Sequence, residues 1–204
     1  MQLEEIIKPY KIIIFDLGGV LIDLKYEDTI TAFKKLGSEN FDEVYSQSLQ
    51  TGLFDKYETG QISSQHFVNK IKESLNLNAS PNQIVAAWNE MIKDFQPDKM
   101  RFVKQLKSTH TTALLSNTND IHIDCVNRRL KKITTDTLEE LFHFTFLSQE
   151  IKMRKPNKET FLWVCEKMSV KPEDVIFIDD SVQHIEGARE AGLNTYFFPQ
   201  NERF

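Results

Sequence analysis

An aspartate stands directly after a short apolar run, and two glycines lie within the next three residues. The run is Ile12–Phe15, the acid is Asp16, and the glycines are Gly18 and Gly19. A short, mainly β-branched run bounded by turn residues predicts a strand buried on both faces, as in a parallel sheet. Open α/β sheets bind ligands at the carboxyl ends of their strands, and glycine lets the backbone approach a ligand closely. Asp16 is therefore predicted to be a reactive carboxylate on a rigid base.

Three further groups of polar residues follow apolar runs or open helices later in the chain. They are Ser116-Asn117-Thr118-Asn119, Lys155-Pro156 and Asp179-Asp180. A carboxylate can attack phosphorus and form an acyl phosphate, while a hydroxyl, amides and a lysine ammonium can bind the phosphoryl oxygens as charge develops. Two acids beside Asp16 can hold Mg²⁺, which prefers oxygen ligands. The chemical types of these groups together fit phosphoryl transfer.

Further apolar runs predict the strands that position these groups. They span Thr111–Ser116, 142–147, Val175–Asp179 and 195–198, and helical patterns such as 159–168 and 185–191 lie between them. Strands that alternate with helices predict a parallel sheet covered on both faces. The predicted fold class is therefore α/β, with a three-layer Rossmann-like parallel sheet as its core.

Residues 24–97 break this alternation, because we predict no strand there and several amphipathic helices. Helical spacing covers 28–36, 65–75 and 81–91. An insertion directly after the first strand hangs over the carboxyl end of that strand. We therefore predict a core of residues 1–23 and 98–204, and an inserted all-helical cap subdomain of residues 24–97 above the site.

The composition is typical of a soluble globular protein and excludes several classes of function. The 204 residues carry a formal net charge of −5, so the basic footprint of a nucleic-acid-binding protein is absent. No apolar run approaches the roughly 20 residues of a membrane span. Only two cysteines are present, Cys125 and Cys165, which favours a reduced protein. Since the first residues lack a signal-peptide pattern, we expect a cytoplasmic location.

The order of these groups, with a helical insertion after the first, resembles the haloacid dehalogenase-like hydrolase superfamily across essentially the whole chain. Four segments are similar to its small-sugar-phosphate phosphatase branch, which includes bacterial glucose-1-phosphate phosphatases. These are Phe-Asp-Leu-Gly-Gly-Val, Leu-Ser-Asn-Thr-Asn, Arg-Lys-Pro, and Ile-Asp-Asp followed by Ile-Glu-Gly-Ala. Four motifs in order are far more specific than any one of them.

The resemblance implies a role for each group. The expected catalytic residues are Asp16, as the nucleophile, and Lys155. Expected to bind the phosphate are Ser116, Asn117 and Lys155. Expected to bind Mg²⁺ are Asp16, the carbonyl of Gly18, and Asp179 or Asp180. The implied partner is a small phosphorylated metabolite, such as a sugar phosphate chosen by the cap and hydrolysed through an aspartyl phosphate, and no nucleic acid or membrane partner is expected.

Gly18 is the main departure, since typical phosphatases of the superfamily carry an acid–base aspartate at this position. Losing a positioned proton donor costs about 10²–10⁴-fold in rate. Activity survives where the leaving group is good, as an anomeric hydroxyl is, or where another acid substitutes. The candidate substitutes are Asp23, Glu58 and His122. The alternative is a catalytically weak phosphate- or metabolite-binding protein.

A second alternative is hydrolysis of a carbon–halogen bond by the same nucleophile. That reaction needs no Mg²⁺, and the pair Asp179-Asp180 therefore speaks against it.

Other residues have weaker signals. Tyr57 and Glu58 resemble the cap segment that relatives point into the pocket, although a turn ending at Gly60 explains the same pattern. Trp88 and Met91, at helical spacing, are predicted to belong to the core of the cap. Among the histidines, His122 and His184 lie near predicted site loops and are candidate substrate contacts. Lys152 stands where relatives often have glycine and is expected to add a charge to the rim.

Overall fold

The computed structural model describes residues 3–38, 41, 43 and 52–199. The strands are β1 (Ile12–Phe15), β2 (Ile22–Leu24), β3 (Ile92–Phe95), β4 (Thr111–Ser116), β5 (Phe144–Leu147), β6 (Val175–Asp179) and β7 (Asn194–Phe197). The helices are α1 (Leu3–Ile7), α2 (Tyr26–Lys35), α3 (Leu53–Glu58), α4 (Ser64–Ser74), α5 (Pro81–Asn89), α6 (Pro97–Leu106), α7 (Asp120–Leu130), α8 (Leu138–Leu141), α9 (Ser148–Ile151), α10 (Lys158–Met168) and α11 (Val182–Glu190). None of these helices combines the length and apolar character needed to cross a bilayer.

A five-stranded parallel sheet in the order β5-β4-β1-β6-β7 forms the centre of the molecule. In β1 successive side chains point to opposite faces. Phe15 packs into an apolar cluster with α6 and α7, whereas Ile14 packs into a second cluster with α10 and α11. The predicted three-layer α/β core is confirmed. The near-continuous apolar runs follow from this arrangement, because a strand covered on both faces buries every side chain.

The predicted strands and helices are present, and most of their ends move by one to three residues. The third cap helix ends at Asn89 rather than at 91, and the strand predicted over 142–147 begins at Phe144. Such shifts reflect frayed ends, where local patterning is weakest. Both cysteines are buried free thiols.

The prediction that residues 24–97 contain no strand is wrong. Strand β3 pairs antiparallel with β2, with Phe95 opposite Ile22 and Ile92 opposite Leu24. Ile92 and Phe95 are buried, while the residues between them face outward. Four residues are too few to distinguish a strand from a helical turn by periodicity, and the pairing partner lies some seventy residues earlier.

The helices between these two strands pack around an aromatic cluster. Its members are Phe54, Tyr57, Phe67 and Trp88, with the rings of Tyr57 and Phe67 stacked at 4.3 Å. Capping fixes two helix starts: Ser63 accepts from the N–H of His66, and Ser80 forms a capping box with Gln83. We call the helices α2–α5 and strand β3 the cap and the elements around the parallel sheet the core; a division into domains at residues 23 and 98 stays a prediction.

Candidate active site

Asp16 lies at the carboxyl end of β1, in the middle of the sheet. Its N–H donates to the carbonyl of Ile178 at 2.9 Å, which continues the pairing of β1 with β6. The residue is 7% exposed and lines a cavity of about 530 Å³. Oδ1 of Asp16 accepts a hydrogen bond from Nζ of Lys155 at 2.7 Å. The predicted reactive carboxylate therefore meets the predicted lysine.

Lys155 is fully buried and is held through its backbone. Nδ2 of Asn117 donates to the Lys155 carbonyl at 2.8 Å, and the Lys155 N–H donates to Oδ1 of Asn117 at 2.9 Å. On the other side, a Cβ at Gly187 of α11 would lie 2.0 Å from the carbonyl oxygen of Pro156. Glycine at this position lets α11 pack directly on the lysine's segment. Both polar side-chain atoms of Asn117, predicted to bind phosphate, thus hold the backbone of Lys155.

The two acids after β6 have different surroundings. Asp179 is fully buried, and Nζ of Lys155 donates to its Oδ2 at 2.7 Å. The N–H of Ser181 donates to its Oδ1 at 2.8 Å, and Nδ1 of His184 lies 3.0 Å from both oxygens. Asp180 instead lines the cavity, and its Oδ2 lies so close to Gly19 that a Cβ there would be 2.0 Å away. Gly19 also has a φ of +76°, so glycine is required on both counts.

Burial and crowding of negative charge dominate the electrostatics of this site. Burial raises the pKa of Asp16 to about 7; Asp179 and Asp180 add to the rise, and Lys155 opposes it. Burial likewise raises the pKa of Asp180. The pKa of Asp179 is lowered, because Lys155 and His184 outweigh its burial. Burial works against the Lys155 ammonium, but Asp16 and Asp179 raise its pKa overall. Three carboxylates thus face one buried ammonium.

The three carboxylates fit a divalent cation. One oxygen from each of Asp16, Asp179 and Asp180 lies within 4.8 Å of the others. These are the hard oxygen donors that Mg²⁺ prefers, and Mg²⁺ usually keeps waters and substrate oxygens as its other ligands. A cation here offsets the negative charge that the single ammonium leaves uncompensated.

The cavity joins the end of the sheet to the cap. Its sheet side carries the polar groups, including Ser116 at the end of β4, which is 3% exposed. Its cap side includes Phe54, Trp88 and Met91. Trp88 and Met91 are buried in the cap, as predicted, and they also form part of the cavity wall.

Of the two predicted cap contacts, the structure brings Glu58 to the cavity but not Tyr57. The ring of Tyr57 is buried against Phe67. Its hydroxyl pairs with Oγ of Ser64 at 2.8 Å and accepts from the N–H of Ile121 at 3.3 Å. Tyr57 therefore joins the cap to the start of α7, and its predicted substrate contact is wrong.

Both candidate histidines line the cavity, but each is already engaged. His122 stacks on Trp88, with Nδ1 at 3.2 Å from Nδ2 of Asn119 and Nε2 at 3.3 Å from the carbonyl of Trp88. Burial lowers the pKa of His122 to about 4. It is therefore neutral at pH 7 and is not the proton donor that we considered. His184 lies against Asp179.

Two basic residues before Lys155 link core and cap, a role that the sequence did not reveal. A guanidinium nitrogen of Arg154 lies 2.9 Å from Oε2 of Glu58, and the same group contacts Asp55. Nζ of Lys152 donates to the carbonyls of Gln149 and Gly60. The sequence marks Arg154 only by its position in the Arg-Lys-Pro motif. Its partners lie about a hundred residues earlier in the chain, so local patterns do not predict the ion pairs. Lys152 is a cross-link rather than a rim charge.

Leu24 fills the space beside Gly18. A Cβ at Gly18 would lie 2.6 Å from Cδ1 of Leu24. Any larger side chain at position 18 requires the flexible end of the Leu24 side chain to move, and glycine leaves no acid at the position of the usual acid–base aspartate.

Comparisons with known proteins agree with this geometry. The profile of the haloacid dehalogenase-like hydrolases matches residues 10–192. D-ribitol-5-phosphate phosphatase of Bacteroides thetaiotaomicron is 27% identical over 191 residues, 94% of this chain and 92% of that protein. Phosphorylated carbohydrates phosphatase of Thermotoga maritima is 24% identical over 190 residues, 91% of this chain and 83% of that protein.

Among solved structures, a HAD family enzyme of Bacteroides thetaiotaomicron in complex with magnesium and inorganic phosphate superposes with a TM-score of 0.88. It is 37% identical and the match covers 96% of this chain and 97% of that one. The order of the motifs, the parallel sheet and the profile agree. This chain belongs to the haloacid dehalogenase-like hydrolase family.

Proposed function

We propose that this chain is a Mg²⁺-dependent phosphatase of a small phosphorylated metabolite, a sugar or polyol phosphate. The observation that carries the proposal is the meeting of Asp16 with Lys155 and Asp180 at the polar end of one cavity. The printed activities of the relatives, phosphatases of ribitol 5-phosphate and of phosphorylated carbohydrates, support this substrate class. The mixed polar and apolar wall of the cavity suits a small hydroxylated compound.

Asp16 is the nucleophile in this proposal. Its carboxylate attacks phosphorus, the bond from phosphorus to the leaving alcohol breaks, and water then hydrolyses the aspartyl phosphate. The Lys155 ammonium, 2.7 Å from Oδ1 of Asp16, stabilises the charge on the phosphoryl oxygens. Ser116 borders the same end of the cavity and donates its hydroxyl to the phosphate. Asn117 acts by holding Lys155 in place.

Asp16, the carbonyl of Gly18 and Asp180 would hold Mg²⁺. We favour Asp180 over Asp179 as the direct ligand, because both oxygens of Asp179 are engaged by Lys155, Ser181 and His184. When bound, Mg²⁺ offsets the repulsion between the anionic nucleophile and an anionic substrate.

A panel of phosphate esters, assayed with Mg²⁺ and with a chelator, tests the proposal. We expect turnover of sugar or polyol phosphates only with Mg²⁺, and no turnover by Asp16→Asn. The matched control is Asp98→Asn, since Asp98 is an exposed aspartate of α6 that does not border the cavity. The assignment is contradicted if Asp16→Asn keeps wild-type activity, or if the control variant loses activity while Asp16→Asn does not.

A phosphate- or metabolite-binding protein without turnover is the second candidate function. The packing of Leu24 against Gly18 favours it, because no acid is present at that position. This candidate predicts that inorganic phosphate binds in calorimetry while every ester, including activated aryl phosphates, remains intact. Measurable Mg²⁺-dependent hydrolysis excludes it.

A further inference from the structure

Two carboxyl groups that the proposed mechanism has not used line the cavity, Asp23 and Glu58, and Glu58 is the more buried of the two. Glu58 ends helix α3 of the cap and lines the cavity opposite the sheet. Its side chain is 22% exposed. Oε2 is buried and receives no hydrogen bond from the described residues, although a guanidinium nitrogen of Arg154 lies 2.9 Å away. The ion pair thus holds the carboxyl group in place, while the exposed part of the side chain lines the cavity.

The environment of Glu58 suits an acid that gains and loses a proton near neutral pH. Burial raises the pKa of its carboxyl group to about 7, while the positive charge of Lys155 opposes the rise. Arg154 also favours the carboxylate. A group that transfers protons in both directions works best when its pKa lies near the working pH.

The other acids and histidines that border the cavity have competing engagements. Asp23 is half exposed, accepts a hydrogen bond from Gln96 and lies 3.6 Å from Nζ of Lys99. His122 is neutral and contacts the carbonyl of Trp88. The remaining acids and His184 belong to the nucleophile and metal cluster. Position 18 itself is a glycine and offers no acid.

We propose that Glu58 is the proton-transfer residue of this chain, taking the role that Gly18 cannot perform. The inference rests on the proposed phosphatase function. In the first step, Asp16 bonds to phosphorus while the leaving oxygen departs with the proton of the Glu58 carboxyl group. In the second step, the Glu58 carboxylate takes a proton from water as that water attacks phosphorus. Inorganic phosphate and the Asp16 carboxylate are released, and Glu58 is protonated again.

Leaving-group dependence distinguishes proton transfer from binding. We compare Glu58→Gln with wild type on ribitol 5-phosphate, whose alkoxide needs a proton, and on p-nitrophenyl phosphate, whose phenolate does not. We expect Glu58→Gln to lower phosphorylation by the alkyl ester by about 10²–10⁴-fold. On the aryl ester, the rate at which the first equivalent of nitrophenolate is released should change by less than about threefold. Hydrolysis of the phosphoenzyme should then be slow, because the base that takes a proton from the attacking water is missing.

Asp55→Asn is the matched control, because Asp55 contacts the same guanidinium of Arg154 but does not border the cavity. We expect this variant to retain wild-type rates on both esters. Equal losses on both esters for Glu58→Gln, or equal losses in Glu58→Gln and Asp55→Asn, would assign Glu58 to binding or to positioning Arg154 and overturn the inference. Unchanged rates in Glu58→Gln also overturn it.

The thermal melting curve and inorganic phosphate affinity of each variant identify a folding defect. If Glu58→Gln is unfolded, the same two esters are compared with Glu58→Asp, for which proton transfer predicts slower phosphorylation by the alkyl ester and unchanged phosphorylation by the aryl ester. A wild-type protein that hydrolyses no ester of the panel refutes the proposed function, a result distinct from an active enzyme in which Glu58 is dispensable.

Discussion

His122 gives the account a quantitative test outside the metal cluster. Its ring is enclosed by Trp88 and Asn119 at the junction of cap and core. Burial lowers its pKa from 6.5 to about 4. Between these two values the unfolded chain binds a proton that the folded chain does not, so the free energy of unfolding falls as the pH falls.

The size of the effect follows from the two pKa values. Each pKa unit corresponds to about 1.4 kcal/mol, so the difference between 6.5 and about 4 corresponds to a loss of about 3 kcal/mol. The stabilisation is complete above pH 6.5, declines as the pH falls, and is gone below about pH 4. That amount is a large fraction of the 5–15 kcal/mol that holds a typical domain together.

Urea unfolding of wild type and His122→Gln, from pH 8 to pH 4 with a chelator present, measures this loss. Other groups titrate in both proteins, so the difference between the two curves isolates His122. We expect wild type to lose about 3 kcal/mol relative to the variant over this range. Parallel curves, or a wild type that gains stability as the pH falls, would show that the imidazole is solvated or paired with an acid, which refutes the reasoning.

Three further predictions concern the site. Lys155→Met leaves Asp16 and Asp179 buried without their ammonium, so we expect a loss of about 3–5 kcal/mol in urea unfolding together with loss of phosphatase activity; unchanged stability contradicts the buried pairing. Gly187→Ala forces a Cβ against the Pro156 carbonyl, so we expect it to lower the free energy of unfolding by about 1–3 kcal/mol and to lower kcat because Lys155 is displaced. An unchanged kcat would show that the packing of α11 does not position Lys155. Metal-free Asp16→Asn has one less carboxylate in the cluster, so we expect it to melt at a higher temperature than metal-free wild type; a lower melting temperature argues against crowded negative charge.

The convergence of these polar groups could be predicted from the sequence, because the carboxyl ends of parallel strands meet at one edge of a sheet. Asp16 directly follows β1, and Ser116 and Asp179 end β4 and β6, so a correct prediction of the strands was enough to bring them together. Lys155 was assigned to the site only from the order of the motifs. The residues around it in the sequence do not indicate that its ammonium is buried between two carboxylates.

Contacts between distant segments of the chain could not be predicted from local patterns. A tyrosine at position 57 is equally suited to contact a substrate and to accept a hydrogen bond from the N–H of Ile121, so the residue type does not distinguish the two roles. The packing of Leu24 on Gly18 depends on the turn that joins β1 to β2. Asn117 has the amide expected of a phosphate ligand, and only the fold reveals that it holds the backbone of Lys155. The division into core and cap and the cytoplasmic location stay predictions.

The most direct test of the account is to identify the residue that carries phosphate during turnover. Wild type is mixed with Mg²⁺ and the phosphate ester of the panel that it hydrolyses fastest, quenched in acid within the first turnover, digested and analysed by mass spectrometry. We predict one phosphoryl group on the peptide that contains Asp16, absent when the substrate is omitted and in Asp16→Asn. Turnover with an unmodified Asp16 peptide, or with the phosphoryl group on another residue such as His184, would contradict it.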